Sequence, residues 1–81
     1  MAKVVFYGRF ADFMGRERDI AVGEGVRLET MMSDLSKEND AFADAVKAPA
    51  VKFAINNAVA PLSTVIKEKD EVAVLPPFSG G

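Results

Sequence analysis

The residues of this chain best suited to chemistry are its last six, PPFSGG, from Pro76 to Gly81. The α-carboxyl group of Gly81 is an anion at neutral pH, because the reference pKa of such a group is about 3.3–3.7. A carboxylate is a weak nucleophile, but an activating enzyme can convert it into an acyl adenylate. Gly80 and Gly81 make the thinnest possible peptide and adopt backbone angles that other residues resist. We therefore expect a terminal carboxylate that enters a narrow active site of another protein.

The residues before the two glycines are suited to presenting that group. Pro76 and Pro77 favour the extended polyproline II conformation, so the six residues can project up to roughly 20 Å. Phe78 offers an anchor for a hydrophobic pocket, and Ser79 follows it. The alternative is a frayed end without function. We favour function and predict a flexible tail of residues 76–81 on a folded domain of residues 1–75.

The composition leaves few other routes to catalysis. The chain has no cysteine and no histidine, which excludes disulfides, thiol nucleophiles and the commonest base and metal ligand. Its six glycines lack the spacing of a phosphate-binding loop. Carboxylates and lysines do not cluster. We therefore expect no metal, no bound cofactor and no catalytic side chain within this chain.

Length and charge indicate a small globular protein. The chain has 81 residues, is 49% hydrophobic and 27% charged, and carries a net charge of −2, which is typical of one folded domain and argues against a nucleic-acid binder. No apolar run approaches the ~20 residues of a membrane span. The first residues, MAKVVFYGRF, do not resemble a signal peptide. We expect a cytoplasmic protein.

The hydrophobic pattern predicts an α+β fold. The apolar residues at 28, 31, 32 and 35 have the spacing of one helical face, and Asn56-Asn57 predicts a tight hairpin turn. Residues 39–47 suit a short helix or an ordered loop, and residues 62–66 an irregular segment or a single turn. Strands are predicted at 3–7, 17–22, 51–55, 58–60 and 71–75, with a short helix at 9–14. This order predicts a β-grasp fold: a mixed sheet with one main helix on one face, and the first and last strands parallel at its centre.

Alternation along the two central strands predicts which side chains face the helix. Lys3 and Glu71 mark the solvated face, so residues 4, 6, 72 and 74 should be buried under the helix. Tyr7 and Leu75 then lie on the open face, near the start of the tail. Exposed apolar patches on small proteins often bind partners. The alternative is that the helix at residues 9–14 covers them.

Several segments together resemble a known family. They are DEVAVLPPFSGG at residues 70–81, KVVFYGRFADFMG at 3–15, AINNAVA at 54–60 and RLETMMSDL at 27–35. They resemble the small subunit of molybdopterin synthase, a ubiquitin-like sulfur carrier related to the carrier of the thiamine pathway. The tail carries the specific part of the resemblance.

The resemblance implies a sulfur-transfer cycle. An activating enzyme would adenylate the Gly81 carboxylate with ATP, and sulfur from a separate donor would replace AMP to give a thiocarboxylate. The tail would then enter the large subunit of the synthase, in an expected heterotetramer. There the thiocarboxylate would attack a cyclic pyranopterin precursor and build the dithiolene. The adenylate and the thiocarboxylate would be transient modifications of Gly81.

The resemblance also assigns roles to residues. Gly81 matches the thiocarboxylate position, and Gly80, Ser79, Phe78, Pro77 and Pro76 match the inserted tail. Tyr7, Val59 and Leu75 match apolar positions that meet partners. There are two departures: Glu68-Lys69-Asp70 stands where the family often has Asp-Gly-Asp, and Leu75 where it often has Phe.

Three other functions remain open at this point. One is the sulfur carrier of the thiamine pathway, which typically lacks the two prolines. Another is a ubiquitin-like modifier that forms an isopeptide bond through Gly81. The last is an interaction domain whose tail is inert. The first two share adenylation with the leading interpretation, so the tail alone does not separate them.

Overall fold

The computed structural model of this chain describes residues 1–77. Within them, secondary structure covers most of the chain, and short loops join the elements. In chain order these are β1 (Ala2–Phe6), α1 (Arg9–Met14), β2 (Glu17–Ile20), β3 (Val26–Arg27), α2 (Leu28–Ser36), α3 (Asp40–Val46), β4 (Lys52–Ile55), β5 (Ala58–Val59), β6 (Val65–Ile66) and β7 (Glu71–Leu75).

The main sheet has five strands in the order β2-β1-β7-β4-β5. β1 and β7 pair in parallel, with Lys3 opposite Glu71 and Phe6 opposite Val74. The other pairs, β1 with β2, β7 with β4 and β4 with β5, are antiparallel. The predicted β-grasp arrangement, with the first and last strands parallel at the centre, is confirmed. The carboxyl ends of β1 and β7 therefore meet at one edge of the sheet.

The core lies between this sheet and the helices. Val4, Val72 and Val74 have no exposed surface and Phe6 is 3% exposed, so the faces predicted from alternation are confirmed. The core cluster runs from Ala2 to Val74. Every buried core residue thus precedes position 75, which agrees with a folded domain of residues 1–75, although the division at that residue stays a prediction.

Helix α2 buries the predicted apolar stripe, but the N–H groups at its N-terminus find their hydrogen-bond acceptors in another segment. Leu28, the first residue of that stripe, is fully buried. Arg27 occupies the N-cap position and its side chain makes no capping bond. Instead, the Leu28 N–H donates to the Thr64 carbonyl at 2.8 Å and the Glu29 N–H to the Leu62 carbonyl at 2.9 Å. A distant loop therefore satisfies donors that the local sequence leaves unpaired.

Residues 40–46 form a helix, which decides between the two structures predicted for them. The Asn39 side chain accepts a bond from the Phe42 N–H at 2.9 Å and so caps α3. Its amide also donates to the Phe13 carbonyl at 3.2 Å. Phe42 is fully buried and meets the rings of Phe6 and Phe10 edge-on, with centroids 5.7 and 5.6 Å away. Helix α1 therefore packs against α3 on the helical side of the sheet.

A second, two-stranded sheet joins β3 to β6, with Val26 opposite Ile66. The prediction of an irregular segment at residues 62–66 was therefore wrong at its last two positions. Two-residue strands are too short to show alternation in a sequence. The close packing depends on Gly25, where a β-carbon would lie 2.8 Å from a Val65 methyl group.

The turn before β7 holds Lys69 in the left-handed region, with φ of +71°, at the position where the resembled family often has glycine. A non-glycine residue in this conformation destabilises the fold by about 1–2 kcal/mol. Glycine avoids that strain, but its larger loss of backbone entropy on folding offsets roughly 0.5–1 kcal/mol of the gain. We expect Lys69→Gly to raise the free energy of unfolding by about 0.5–1 kcal/mol, measured by urea denaturation. Lys67→Gly, in the same turn but without a positive φ, should lower it. A Lys69→Gly chain no more stable than the parent would contradict this reading.

Candidate functional site

The chain leaves the sheet at the C-terminal end of its central strand, where β7 ends at Leu75. Pro76 follows it and is half-buried. Gly8, at the end of β1, lies against Pro76, so closely that a β-carbon on Gly8 would sit 3.0 Å from the Pro76 Cγ. Gly8 also has φ of +56° and ψ of −134°, angles that favour glycine. The turn after the first strand therefore packs closely against Pro76, the first residue of the tail.

Pro77, the last described residue, lies at a groove on the helical side of the sheet. Residues of α1 and of the α3 region form the rest of the groove: Arg9, Phe10, Phe13, Ala41, Asp44, Ala45 and Ala48. Pro77 itself is exposed. The base of the tail thus lies at the rim between the helices and the open face of the sheet, and a partner can approach it from either side.

Strand register arranges the open face in rows. The middle row crosses the sheet as Glu17, Val5, Ala73, Ala54 and Val59, because each is the register partner of the next. The row nearest the tail contains Tyr7, Leu75 and Lys52: Lys52 is opposite Leu75, and Tyr7 follows Phe6 in the same register, its N–H donating to the Val74 carbonyl at 3.2 Å. The apolar residues of these two rows form one continuous surface, which we call the open-face patch: Val5, Tyr7, Ala54, Val59, Ala73 and Leu75.

The structure places all three predicted partner-binding residues in this patch. Tyr7 is 47% exposed and Val59 is 74% exposed, while Leu75 is half-buried. Tyr7 and Leu75 are neighbours, and Val59 lies across β4 on an edge strand. Helix α1 does not cover them, since it packs on the opposite side. Their role in binding stays a prediction, but their common surface is an observation.

Sequence reasoning did not include in the candidate site the residues that connect these three. Val5, Ala54 and Ala73 join Tyr7 and Leu75 to Val59. Alternation alone places Val5 and Ala73 on the open face. The position of Ala54 relative to Val59 follows only from the register of the hairpin. Gly8 had a weaker signal, a glycine directly after a predicted strand.

A polar network at the opposite end of β7 holds this register. Asn56 and Asn57 have positive φ angles of 50° and 71°, which confirms the predicted tight turn. The Asn56 amide donates to an Asp70 carboxylate oxygen at 2.9 Å and its carbonyl oxygen accepts from the Glu71 N–H at 2.9 Å. The Lys67 N–H donates to the other Asp70 oxygen at 2.8 Å. The Lys67 backbone bond, followed by the Asn56 bond, lowers the pKa of the Asp70 carboxyl below its ordinary value. The network fixes the hairpin against β7 and so aligns the patch.

The part of the candidate site that the structure describes is a surface. Among residues 1–77, no group of three or more acidic side chains is placed to hold a metal ion, and the same stretch has no helix with the length and apolarity to cross a membrane. The predicted reactive residue Gly81, with Gly80, Ser79 and Phe78, lies outside the described residues. What the structure does describe is the base of the tail and an apolar surface beside it.

Comparison with known proteins agrees with this description. The chain matches the ThiS family over residues 4–81. It is 31% identical over 86 residues to the molybdopterin synthase sulfur carrier subunit of Haemophilus influenzae, with both chains fully covered. Its fold matches the crystal structure of SAMP1 from Haloferax volcanii with a TM-score of 0.83, at 21% identity over 99% of this chain and 98% of the other.

A further structural match comes from a complex. A chain of the protein–protein complex of subunits 1 and 2 of the molybdopterin-converting factor from Helicobacter pylori matches with a TM-score of 0.65, at 21% identity over 99% of this chain and 97% of that one. At this identity the match speaks for the fold alone. The family match over nearly the whole chain, together with the full-length similarity to a molybdopterin synthase sulfur carrier subunit, confirms the sulfur-carrier family predicted from the four segments: this chain belongs to the ThiS family.

Proposed function

We propose that this chain is the sulfur carrier of a molybdopterin synthase, and that the carboxyl group of Gly81 carries the sulfur. The observation that supports this best is the position of β7. That strand runs through the open-face patch and leads, without an intervening loop, into Pro76 and Pro77. A partner that binds the patch therefore lies beside the origin of the tail. The full-length similarity to a curated sulfur carrier subunit gives independent support.

The first step in this proposal is activation. A carboxylate oxygen of Gly81 attacks the α-phosphorus of ATP in the active site of an activating enzyme, and pyrophosphate leaves. Hydrosulfide released by a separate sulfur donor then attacks the acyl carbon, and AMP leaves. The product is a thiocarboxylate on the main chain. This route needs no thiol in the carrier, which fits a chain without cysteine.

The second step is transfer inside a large subunit. Residues 76–81 enter its active site, and the terminal sulfur attacks a carbon of the cyclic pyranopterin precursor and displaces an oxygen leaving group. Water then hydrolyses the resulting thioester, which leaves the sulfur on the precursor and returns Gly81 to a carboxylate. Two carriers used in turn supply the two sulfur atoms of the dithiolene, so we propose a heterotetramer of two small and two large subunits. The complex of subunits 1 and 2 from Helicobacter pylori supports a partner of this kind. In our chain, Tyr7, Val59 and Leu75 would bind it.

Intact mass spectrometry of the protein purified from its own organism tests this proposal. We expect the mass change of one oxygen replaced by sulfur, localised to the peptide that ends at Gly81. Conjugates through lysine in the absence of a thiocarboxylate would instead identify a protein modifier. A thiocarboxylate that the large subunit cannot pass to the pyranopterin precursor would favour the thiamine pathway.

A further inference from the structure

The open face is polar at the end far from the tail and mainly apolar at the end near it, and Lys52 is a charged residue at the apolar end. The row farthest from the tail is polar: Asp19, Lys3, Glu71 and Asn56 lie side by side in register. The two rows nearer the tail contain the open-face patch. Lys52 lies in the last of these rows, directly opposite Leu75. A cation therefore stands where the rest of the row is apolar.

Within residues 1–77, the ammonium group of Lys52 forms no ion pair. By contrast, Lys3 pairs with Glu17 at 3.9 Å and Lys37 with Asp34 at 3.5 Å. Its neighbours in the adjoining depression are mainly apolar, and include Val59, Pro61 and Leu62. The side chain is exposed, so water now solvates its charge.

A partner seated on the patch would change that environment. Covering Leu75 and Val59 removes water from the space in which the Lys52 side chain lies. A buried, unpaired ammonium group costs several kcal/mol, whereas a paired one costs far less. A partner that binds here must therefore offer a carboxylate opposite Lys52, or leave that group at the solvated rim.

We propose that Lys52 forms an ion pair with an aspartate or glutamate of the large subunit, and that this pair sets how the partner lies relative to the tail. The inference rests on the proposed function, since it assumes that partner. Because Lys52 is the cross-strand neighbour of Leu75, the pair lies one residue from the start of the tail. A charge in this place steers the two proteins together and disfavours docking in the wrong orientation.

A simpler role for Lys52 is packing, in which its methylene stem covers Leu75 and the charge does nothing. Two variants separate the roles. Lys52→Met keeps a stem of similar length without the charge, and Lys52→Glu reverses the charge. Lys37→Glu is the matched control, because it makes the same change of net charge at the C-cap of helix α2, on the other side of the sheet.

The experiment measures the association rate constant and Kd of each carrier with the large subunit from the same organism, at several salt concentrations. We expect Lys52→Glu to slow association about tenfold and to reduce its dependence on salt, with Lys52→Met between it and the parent. Lys37→Glu should stay within about twofold of the parent, because screening weakens charges beyond roughly 10 Å. Unfolding midpoints should be the same for the parent and both Lys52 variants, whereas Lys37→Glu loses the ion pair with Asp34 and places a negative charge at a helix C-terminus, so it should unfold slightly earlier.

Two results would overturn the inference in distinguishable ways. If the parent chain forms a complex and Lys52→Glu binds no more weakly than Lys37→Glu, the ion pair does not exist and the proposed function stands. Parent-like binding by Lys52→Met would likewise assign Lys52 to packing alone. If the parent chain forms no complex with the large subunit, the proposed function fails, and this inference fails with it.

Discussion

Removal of Gly81 is expected to leave the fold unchanged and to lower sulfur transfer to the large subunit by at least about 100-fold, because a displacement of about 1 Å at a reacting centre can cost that much. The shortened chain still ends in a carboxylate, but that group lies about 3.3–3.6 Å nearer the sheet. Its thermal stability should equal that of the parent, since the core cluster ends at Val74. The rate of thiocarboxylate formation and the yield of sulfur transfer measure the effect.

A second deletion shows which property of the tail matters. Removing Ser79 shortens the tail by the same length but keeps Gly80 and Gly81 at its end. Equal losses in both variants would assign the effect to reach, and a smaller loss without Ser79 would assign it to the two glycines. Full activity of the chain lacking Gly81 would contradict the proposed function. A marked fall in its unfolding temperature would contradict the division at residue 75.

Introducing a carboxylate into the open-face patch should weaken partner binding without unfolding the domain. We expect Tyr7→Glu to cost about 2 kcal/mol of binding free energy, a roughly 30-fold rise in Kd for the large subunit. Tyr7 suits this test because it is 47% exposed, so the domain loses little packing, and because it lies in the row nearest the tail. Leu75→Glu should weaken binding similarly, but it is half-buried and its stability must be measured alongside.

Val65→Glu provides the matched control for this prediction. Val65 is 45% exposed, nearly the same as Tyr7, and it lies in the small β3–β6 sheet rather than on the open face. Both variants add one negative charge to a surface apolar position. Titration calorimetry with the large subunit should give parent-like affinity for Val65→Glu. Equal affinities for Tyr7→Glu and the parent would show that the open face is not the interface.

These two effects test different parts of one arrangement. The patch determines whether the partner binds, and the terminal residues determine whether chemistry follows. A carrier altered at Tyr7 should therefore still transfer sulfur when the large subunit is in excess. A carrier without Gly81 should bind normally and transfer sulfur at least about 100-fold less. Together, the two outcomes separate partner binding from sulfur transfer more clearly than either does alone.

Much of the fold could be predicted because its signals are local. The stripe that includes Leu28 and Leu35 predicts a helix, alternation from Val72 to Val74 predicts a half-buried strand, and the Asn56-Asn57 pair predicts a turn. Each needs only neighbours within a few residues. The same holds for the candidate chemistry, since the motif from Pro76 to Gly81 is contiguous.

Other features were beyond the sequence for equally physical reasons. The β3–β6 sheet pairs residues 40 positions apart, Val26 with Ile66, and two-residue strands have no readable period. The N-terminus of α2 depends on carbonyl groups of residues 62 and 64, although its own cap position predicts a weak start. Such contacts stabilise elements that look marginal when considered alone.

The sequence by itself determined the chemistry available to this protein and the inward or outward direction of its strand residues. Both depend on residue type and on spacing along one segment. Only the tertiary structure decided that Tyr7, Leu75 and Val59 share a continuous surface, that Gly8 lies against Pro76, and that Lys52 stands beside Leu75. These are relations between strands distant in the chain, and they follow from pairing and register. Register is set by the packing of the whole core and by bonds such as the one between Asn56 and Asp70, and no single segment contains either.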